Sequence, residues 1–217
     1  MSRHPAPEEL LFDYAAGALA EGPALAVALH VALDPASRGT VERLNALGGA
    51  LLDREPAPGV DEGALESVLA RLDQVAVEKN TRALPALAGF EWAPAPLLPY
   101  LKPDAAWRRI LGKFDEIRLD LEGAFHRVSL LRLDPGRGLP EHRHSGYEYT
   151  VVLQGGYTDV TGSYGVGDLA VGPGDARHEP IADPGEPCIA LIVVEQPIVL
   201  TGPWGRWLNP LVRRGLI

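Results

Sequence analysis

The sequence is poor in cysteine. Its 217 residues include a single cysteine, Cys188. One cysteine excludes an internal disulfide framework and any zinc site built from several thiolates. Cys188 opens the apolar run 188–194, a pattern typical of a buried strand, so we expect it to be a core residue.

Long apolar runs and basic segments are also missing. No run approaches the roughly 18–20 apolar residues of a membrane helix, and the polar N-terminus does not resemble a signal peptide. We therefore expect a cytoplasmic protein that contacts no membrane. The net charge is −9, and residues 1–80 hold six basic and thirteen acidic residues, which is −7 of that total. An acidic segment is a poor partner for nucleic acid but suits either a basic protein surface or plain solvent.

The first 80 residues repeat apolar side chains at three- and four-residue spacing, which predicts amphipathic helices. We predict helices over 8–19, 24–33 and 40–52, and a fourth that begins after Asp61. Four short helices make a small bundle or an interaction module. Residues 81–103 contain five prolines and predict a linker.

From residue 104 onward the apolar period approaches two. Segments 125–133, 148–153, 157–160, 168–171 and 189–194 predict short strands separated by glycine and proline. Such a series indicates a β-sandwich or β-barrel. The predicted fold class is thus α+β multidomain, with a helical domain at 1–80, a Pro-rich linker at 81–103 and a β-domain at 104–217.

Three of the six histidines fall in a pattern that predicts a metal site. His142 and His144 are two residues apart, so they share one face of a strand, and Glu148 has the same parity. His178 must come from a neighbouring strand. Three imidazoles and one carboxylate inside a barrel suit Zn²⁺, Fe²⁺, Mn²⁺ or Ni²⁺. A lone histidine would more simply be a core or surface residue.

The spacing of these residues resembles the two motifs of the cupin family. The first motif is matched by Gly136, His142, His144, Glu148 and Gly155, and the second by Gly167, Pro173 and His178. Asp175 and Ala182 stand where the second motif usually has glycine and asparagine. The resemblance implies an RmlC-like jelly roll, with a metal bound by His142, His144, Glu148 and His178.

The helical half resembles the ChrR family of anti-sigma factors, in which a zinc-binding helical domain precedes a cupin domain. The resemblance lies in segments 9–19, 28–33 and 44–49. It implies that the helical domain binds an extracytoplasmic-function sigma factor and keeps it from RNA polymerase. It also implies that the cupin domain binds zinc. In the family, the cupin domain is needed for release of the sigma factor when the cell meets singlet oxygen or related oxidants.

The helical half departs from the family's zinc-ligand pattern of two histidines and two cysteines. His4 and His30 stand at the histidine positions, but Asp34 and Ser37 replace the cysteines. A serine hydroxyl is a poor zinc ligand, and thiolates supply much of the affinity of a structural site. We expect this N-terminal zinc site to be lost or weak, His30 to be an ordinary helix residue, and Asp34 to cap the next helix.

Three functions are compatible with the sequence. The first is an anti-sigma factor whose cupin metal senses an oxidant or a small ligand. The second is a metal-dependent cupin enzyme such as a dioxygenase, although no distinctive acid, base or charged clamp accompanies the metal ligands, and no catalytic residue is assigned. The third is a scaffold with a structural metal, in which a homodimer is plausible because cupins often associate through barrel strands.

Overall fold

The helices of the first half lie close to the predicted segments but differ at their ends. The computed structural model describes residues 2–56, 59–74, 89–121, 126–144, 146–173, 177–196, 199–201, 207, 209 and 210. Its helices are α1 (Glu8–Ala15), α2 (Glu21–Leu33), α3 (Pro35–Leu52) and α4 (Ala64–Gln74), with a 3₁₀ helix at Ala95–Tyr100. In the described part of the chain, no helix combines the length and apolar character that a membrane crossing needs.

Proline positions explain the differences at the ends of α2 and α3. We predicted that the second helix begins at residue 24, but α2 begins at Glu21 and includes Gly22 and Pro23. Proline is tolerated in a first helical turn, because the N–H it lacks would have no helical partner there. Pro35 is the first residue of α3, and the Asp34 carboxylate accepts a hydrogen bond from the Ser37 N–H at 2.9 Å. The predicted cap at Asp34 is confirmed.

The second half consists of short strands in three sheets. The strands are β1 (Arg108–Ile110), β2 (Phe114–Leu119), β3 (Arg127–Leu133), β4 (His142–Arg143), β5 (Tyr147–Gln154), β6 (Gly156–Asp159), β7 (Gly162–Gly165), β8 (Leu169–Pro173), β9 (Ile181–Ala182), β10 (Cys188–Val194) and β11 (Val199–Leu200). The largest sheet has the order β1-β2-β3-β10-β5-β8; β7-β6-β9 and β11-β4 form the others. Helices followed by a β-sandwich confirm the predicted fold class.

Both faces of the six-stranded sheet are covered by protein. One row across five strands is Ile117, Leu130, Leu191, Val151 and Leu169, and these side chains share a core with α1 and α2. The alternate residues point to the opposite, inner face, toward the smaller sheets. This double coverage explains why β10 reads as a continuous apolar run and why Cys188 is buried, as predicted.

The C-terminal part of the predicted linker contributes to the same core. Phe90, Leu97 and Leu101 are buried, and the 3₁₀ helix packs against α2. Residues 75–88 lie outside the described part of the chain. The predicted domain boundaries at 80 and 103 stay predictions.

The first residues of the chain form a strap, residues 2–6, between the helices and the sheet edge. Asp168, which is buried, accepts hydrogen bonds from the backbone N–H groups of Arg3, His4 and Gly165. The Leu169 N–H donates to the His4 carbonyl at 3.1 Å, so the strap pairs with the start of β8. One carboxylate therefore fixes both the strap and the turn before β8.

Asp168→Ala should destabilise the protein by roughly 2–4 kcal/mol, because three backbone donors lose their acceptor. The measurement is urea unfolding of the full chain. Glu179→Ala, which removes an exposed carboxylate from the same half of the protein, is the control and should change the free energy of unfolding by less than about 0.5 kcal/mol. Equal effects of the two substitutions would contradict the role given to Asp168.

Candidate metal centre

The four predicted ligands come from three neighbouring pieces of backbone. His142 lies on β4, His144 follows it, and Glu148 lies on β5. His178 is placed by a two-way backbone bridge: the N–H of each of His142 and His178 donates to the carbonyl of the other at 3.1 Å. The bridge sets residue 178 directly opposite residue 142.

The structure brings these four side chains together. His144 Nε2 lies 2.7 Å from Glu148 Oε2 and 3.2 Å from His178 Nε2, and His178 Nε2 lies 3.8 Å from the same Glu148 oxygen. Each of the three histidines offers a nitrogen within 4.8 Å of the other two. His142 and His144 are buried and His178 is partly buried.

The outer ring nitrogens of two histidines are held by hydrogen bonds. His142 Nδ1 donates to the Pro140 carbonyl at 2.7 Å, and His178 Nδ1 donates to Asp159 Oδ2 at 3.0 Å. In both rings Nε2 is therefore left to face the centre. Metal-ligating histidines usually have this kind of outer partner, which fixes the tautomer and the ring orientation.

The protonation states also suit metal binding. Burial, with a smaller contribution from His178, lowers the pKa of His142 to about 4, so the ring is neutral near pH 7. Burial alone would raise the pKa of Glu148, but the hydrogen bond and charge of His144 outweigh it, and the net pKa is lowered. His142 thus offers a neutral imidazole and Glu148 a carboxylate, the forms that bind metals.

The distance between two of the donor atoms matches the spacing around one divalent ion. Metal–nitrogen bonds of about 2.0–2.1 Å place neighbouring donors roughly 3–3.4 Å apart, which matches the 3.2 Å between His144 and His178. A bound ion would replace the proton that His144 shares with Glu148. The triad of His142, His144 and His178 could bind a metal; the full set with Glu148 stays a prediction, and the donor types admit zinc, iron, manganese or nickel.

The motif glycines shape the backbone around the site. Gly155 has φ +64°, and a Cβ there would lie 2.7 Å from the Pro187 carbonyl oxygen, so only glycine fits. Gly136 also has positive φ, at +69°. Asp175, where the sequence departs from the second cupin motif, lies outside the described residues.

An apolar cavity of about 100 Å³ adjoins the candidate ligands on the inner face of the large sheet. Its apolar lining includes Phe114, Leu139 and Ile192. Glu116 also lines it, and its oxygens accept hydrogen bonds from Arg127, Ser129, Arg108 and Arg118. A small molecule with an apolar body and one donor atom would fit beside the metal position.

The sequence did not predict that Asp159 contacts His178 or that Glu116 lines the cavity. Strands β1, β2 and β7 were not predicted. Three of the six residues of β2 are charged, which obscures its apolar pattern, and the other two strands are short. The only signal for Asp159 is its position at the end of the predicted strand 157–160, which is too common to indicate a role.

Three of the four residues at the family's N-terminal zinc positions lie together in a hydrogen-bonded junction: His30, Asp34 and Ser37. His30 is fully buried, so the expectation of an ordinary helix residue was wrong. Its Nδ1 donates to the Gly167 carbonyl at 2.7 Å, and its Nε2 accepts from the Ser37 hydroxyl at 2.7 Å and the Ala6 N–H at 3.2 Å. Both ring nitrogens are thus occupied by the chain itself.

The other two positions are also engaged. Burial opposes ionisation of Asp34, but hydrogen bonds from Ser37 and Ser2 outweigh it and lower its pKa to about 2. His4 points elsewhere: its Nε2 donates to the Ser163 carbonyl at 3.2 Å, and its ring lies against Tyr164. The structure brings His30, Asp34 and Ser37 together and places the His4 side chain at β7.

Asp159→Asn should weaken zinc binding to the full chain by roughly 10- to 100-fold, because the amide orients the His178 ring less well than the carboxylate does. Competition with a chromophoric chelator measures the affinity. Asp183→Asn is the matched control, since Asp183 contacts the same small sheet through Thr158 but does not touch His178. Unchanged zinc affinity in Asp159→Asn would show that Asp159 does not orient His178 for the metal.

Comparison with known proteins agrees with this architecture. Residues 104–197 match the family model described as the ChrR cupin-like domain. The chain is 34% identical over 215 residues to the anti-sigma-E factor ChrR of Cereibacter sphaeroides, covering 97% of this chain and 98% of that protein. In the crystal structure of Rhodobacter sphaeroides SigE in complex with the anti-sigma ChrR, the matching chain is 34% identical, with a TM-score of 0.74 over 89% of this chain and 100% of that one. This chain therefore belongs to the ChrR family of anti-sigma factors.

Proposed function

We propose that this protein is a cytoplasmic anti-sigma factor that regulates transcription under oxidative stress. Its helical region, residues 1–80, binds an extracytoplasmic-function sigma factor, and its cupin domain holds one divalent metal, zinc, through His142, His144, Glu148 and His178. The observation that carries this proposal is the full-length similarity to an anti-sigma factor whose relative is found in complex with SigE.

Exposed apolar side chains on two helices support the proposal. On α4, Leu65, Val68, Leu69 and Leu72 are each at least half exposed. On the C-terminal half of α3, Leu47, Leu51 and Leu52 are also more than half exposed. We call these seven residues the α3–α4 face. Exposed apolar patches of this kind mark protein-binding surfaces.

The charge around this face favours a basic partner. Six acidic residues flank it: Glu42, Asp53, Glu55, Asp61, Glu62 and Glu66, all exposed. Only Arg43, Arg54 and Arg71 offset them in the same stretch. An apolar centre with an acidic rim suits a helical surface of opposite charge on the sigma factor.

The metal and the adjoining cavity supply the sensing function. When bound, the metal offers a Lewis-acidic position for an oxygen donor of an oxidant or a small ligand. The side chains around it position that ligand and keep the site apolar. Such a ligand changes sigma binding only if its affinity differs between the sigma-bound and sigma-free protein.

The helical region folds in our proposal without its own metal. The hydrogen bonds of His30, Asp34 and Ser37 take the place that zinc has in the family pattern. These bonds connect the strap, α2 and α3, as a structural ion would.

Elemental analysis of protein purified without added metal should find one zinc per chain. His142→Ala should remove most of it, whereas His30→Ala should lower stability and leave the metal content unchanged. Two metals per chain, or loss of metal in His30→Ala, would refute a metal-free helical region. Iron together with O₂-dependent turnover would favour a cupin enzyme.

Charged substitutions on the α3–α4 face should abolish sigma binding. Val68→Glu with Leu72→Glu should weaken binding by about 30-fold or more, because a central apolar anchor of an interface contributes about 2 kcal/mol or more. The sigma factor is identified by mass spectrometry after capture from the native organism, and its affinity is then measured with purified protein.

Val160→Glu with Val166→Glu is the control for that experiment. Both valines are more than half exposed but lie on turns of the β-domain. This variant should bind the sigma factor normally. If capture recovers only the protein itself, or if both variants bind alike, the helical face is not the sigma-binding surface.

A further inference from the structure

The strap is attached to both halves of the protein at successive residues. Ser2 N–H donates to Asp34 Oδ1 at 3.2 Å and Ala6 N–H donates to His30 Nε2 at 3.2 Å, both in the helical region. Between them, Arg3 and His4 are held by Asp168 of the β-domain. The strap therefore connects the two halves, so that a shift of His4 relative to Asp168 also affects the hydrogen bond between Ala6 and His30.

A chain of hydrogen bonds leads from the metal centre toward the strap. His178 Nδ1 donates to Asp159 Oδ2 at 3.0 Å. The other oxygen of Asp159 accepts from the Thr161 N–H at 2.7 Å and the Thr161 hydroxyl at 2.6 Å. The Thr161 hydroxyl in turn lies 3.0 Å from the Tyr164 hydroxyl.

The direction of these bonds is fixed by the carboxylate. Ionised Asp159 only accepts, so the Thr161 O–H must point to it. The lone pairs of Thr161 are then left for the Tyr164 O–H, which donates. In this series of hydrogen bonds every donor points toward Asp159, an arrangement in which each hydrogen bond polarises the next.

Ring contacts complete the connection to the strap. The rings of Tyr164 and His4 are 4.3 Å apart at their centroids. On its other side, Tyr164 stacks on Tyr157 at 4.9 Å, and Tyr157 is a buried residue that lines the space next to Glu148 and His178. The Tyr164 ring thus lies between His4 and Tyr157, and its hydroxyl group receives the hydrogen-bonded path from the metal centre through Thr161.

We propose that Thr161 and Tyr164 couple the metal centre to the N-terminal strap, so that occupancy of the metal site stabilises the docking of residues 2–6 onto both halves of the protein. This inference rests on the metal site of the proposed function and adds its means of regulation. Thr161 and Tyr164 are positioning residues, since neither is within the predicted ligand set.

The physical basis is restriction of motion. Asp159 holds one edge of the His178 ring, and a metal at Nε2 fixes the opposite edge. A fixed His178 holds Asp159, Thr161 and Tyr164 in one arrangement, so the Tyr164 ring presents a better-ordered surface to His4. Ordering shared in this way produces coupling without a large structural change, and the coupling acts equally in both directions.

The test uses the full chain with and without zinc. Amide hydrogen exchange of Arg3, His4 and Ala6 is followed by NMR in the wild type, in Tyr164→Phe and in Tyr147→Phe. Tyr164→Phe removes only the hydroxyl and keeps both ring contacts. Tyr147→Phe is the matched control, because Tyr147 is half exposed on β5 and makes no contact with Thr161 or Tyr164 among the described residues.

Zinc should slow exchange of the three amides about fivefold or more in the wild type and in Tyr147→Phe, the low end of typical coupling between sites. In Tyr164→Phe the slowing should fall below about twofold. Because the coupling is reciprocal, His4→Ala should weaken zinc binding by the same factor by which zinc slows amide exchange of the strap in the wild type.

Two results would overturn the coupling while leaving the proposed function intact: zinc binds the wild type but the exchange rates do not change, or zinc slows exchange equally in Tyr164→Phe. Failure of the wild type to bind zinc at all would refute the metal site itself. Normal zinc affinity in His4→Ala, despite a clear effect of zinc on exchange of the wild-type strap, would also refute the coupling.

Discussion

The six-stranded sheet packs against the helices on one face and bears the cavity and candidate ligands on the other, and this constraint governs the rest of the molecule. Leu130, Leu191 and Val151 pack outward against the helices. Their neighbours along the strands face inward, toward the cavity and the candidate ligands. Because side chains alternate along a strand, a shift of one residue in register would exchange these two sets. The helical core and the metal centre therefore depend on the same strand pairing.

The strap and the His30 junction show how this family member can hold its helices without thiolates. A zinc ion connects residues by strong bonds from one centre. Here buried hydrogen bonds connect three of those positions, His30, Asp34 and Ser37, and His30 also bonds to the Gly167 carbonyl of the β-domain. Each such bond contributes only about 0.5–1.5 kcal/mol net, so several are needed where one ion would suffice. The result is a junction that ties the helices to the sheet.

The sequence was most informative where a function requires fixed spacing. The two-residue interval of His142 and His144 indicated a shared face, and the cupin motif indicated His178 although it is more than thirty residues away. The strands β5, β6, β8 and β10 were predicted within a few residues because their apolar patterns are strong.

Other features could not be predicted because their cause is tertiary. Strand β2 carries Glu116 on its inner face. Because a charged residue is not expected at a buried position, the sequence did not indicate that this strand is buried on both sides. His30 looked ordinary because its partners, Ala6 and Gly167, come from opposite directions in the sequence. Asp159 contacts His178 only after two separate strands have met. No local pattern encodes such contacts.

X-ray absorption at the metal edge of protein purified with its native metal tests the central claim most directly. We predict a first shell of three imidazole nitrogens and one carboxylate oxygen, at about 2.0–2.2 Å for zinc. A shell with fewer than three imidazoles, or one made mainly of water oxygens, would contradict a metal centre built from His142, His144, Glu148 and His178.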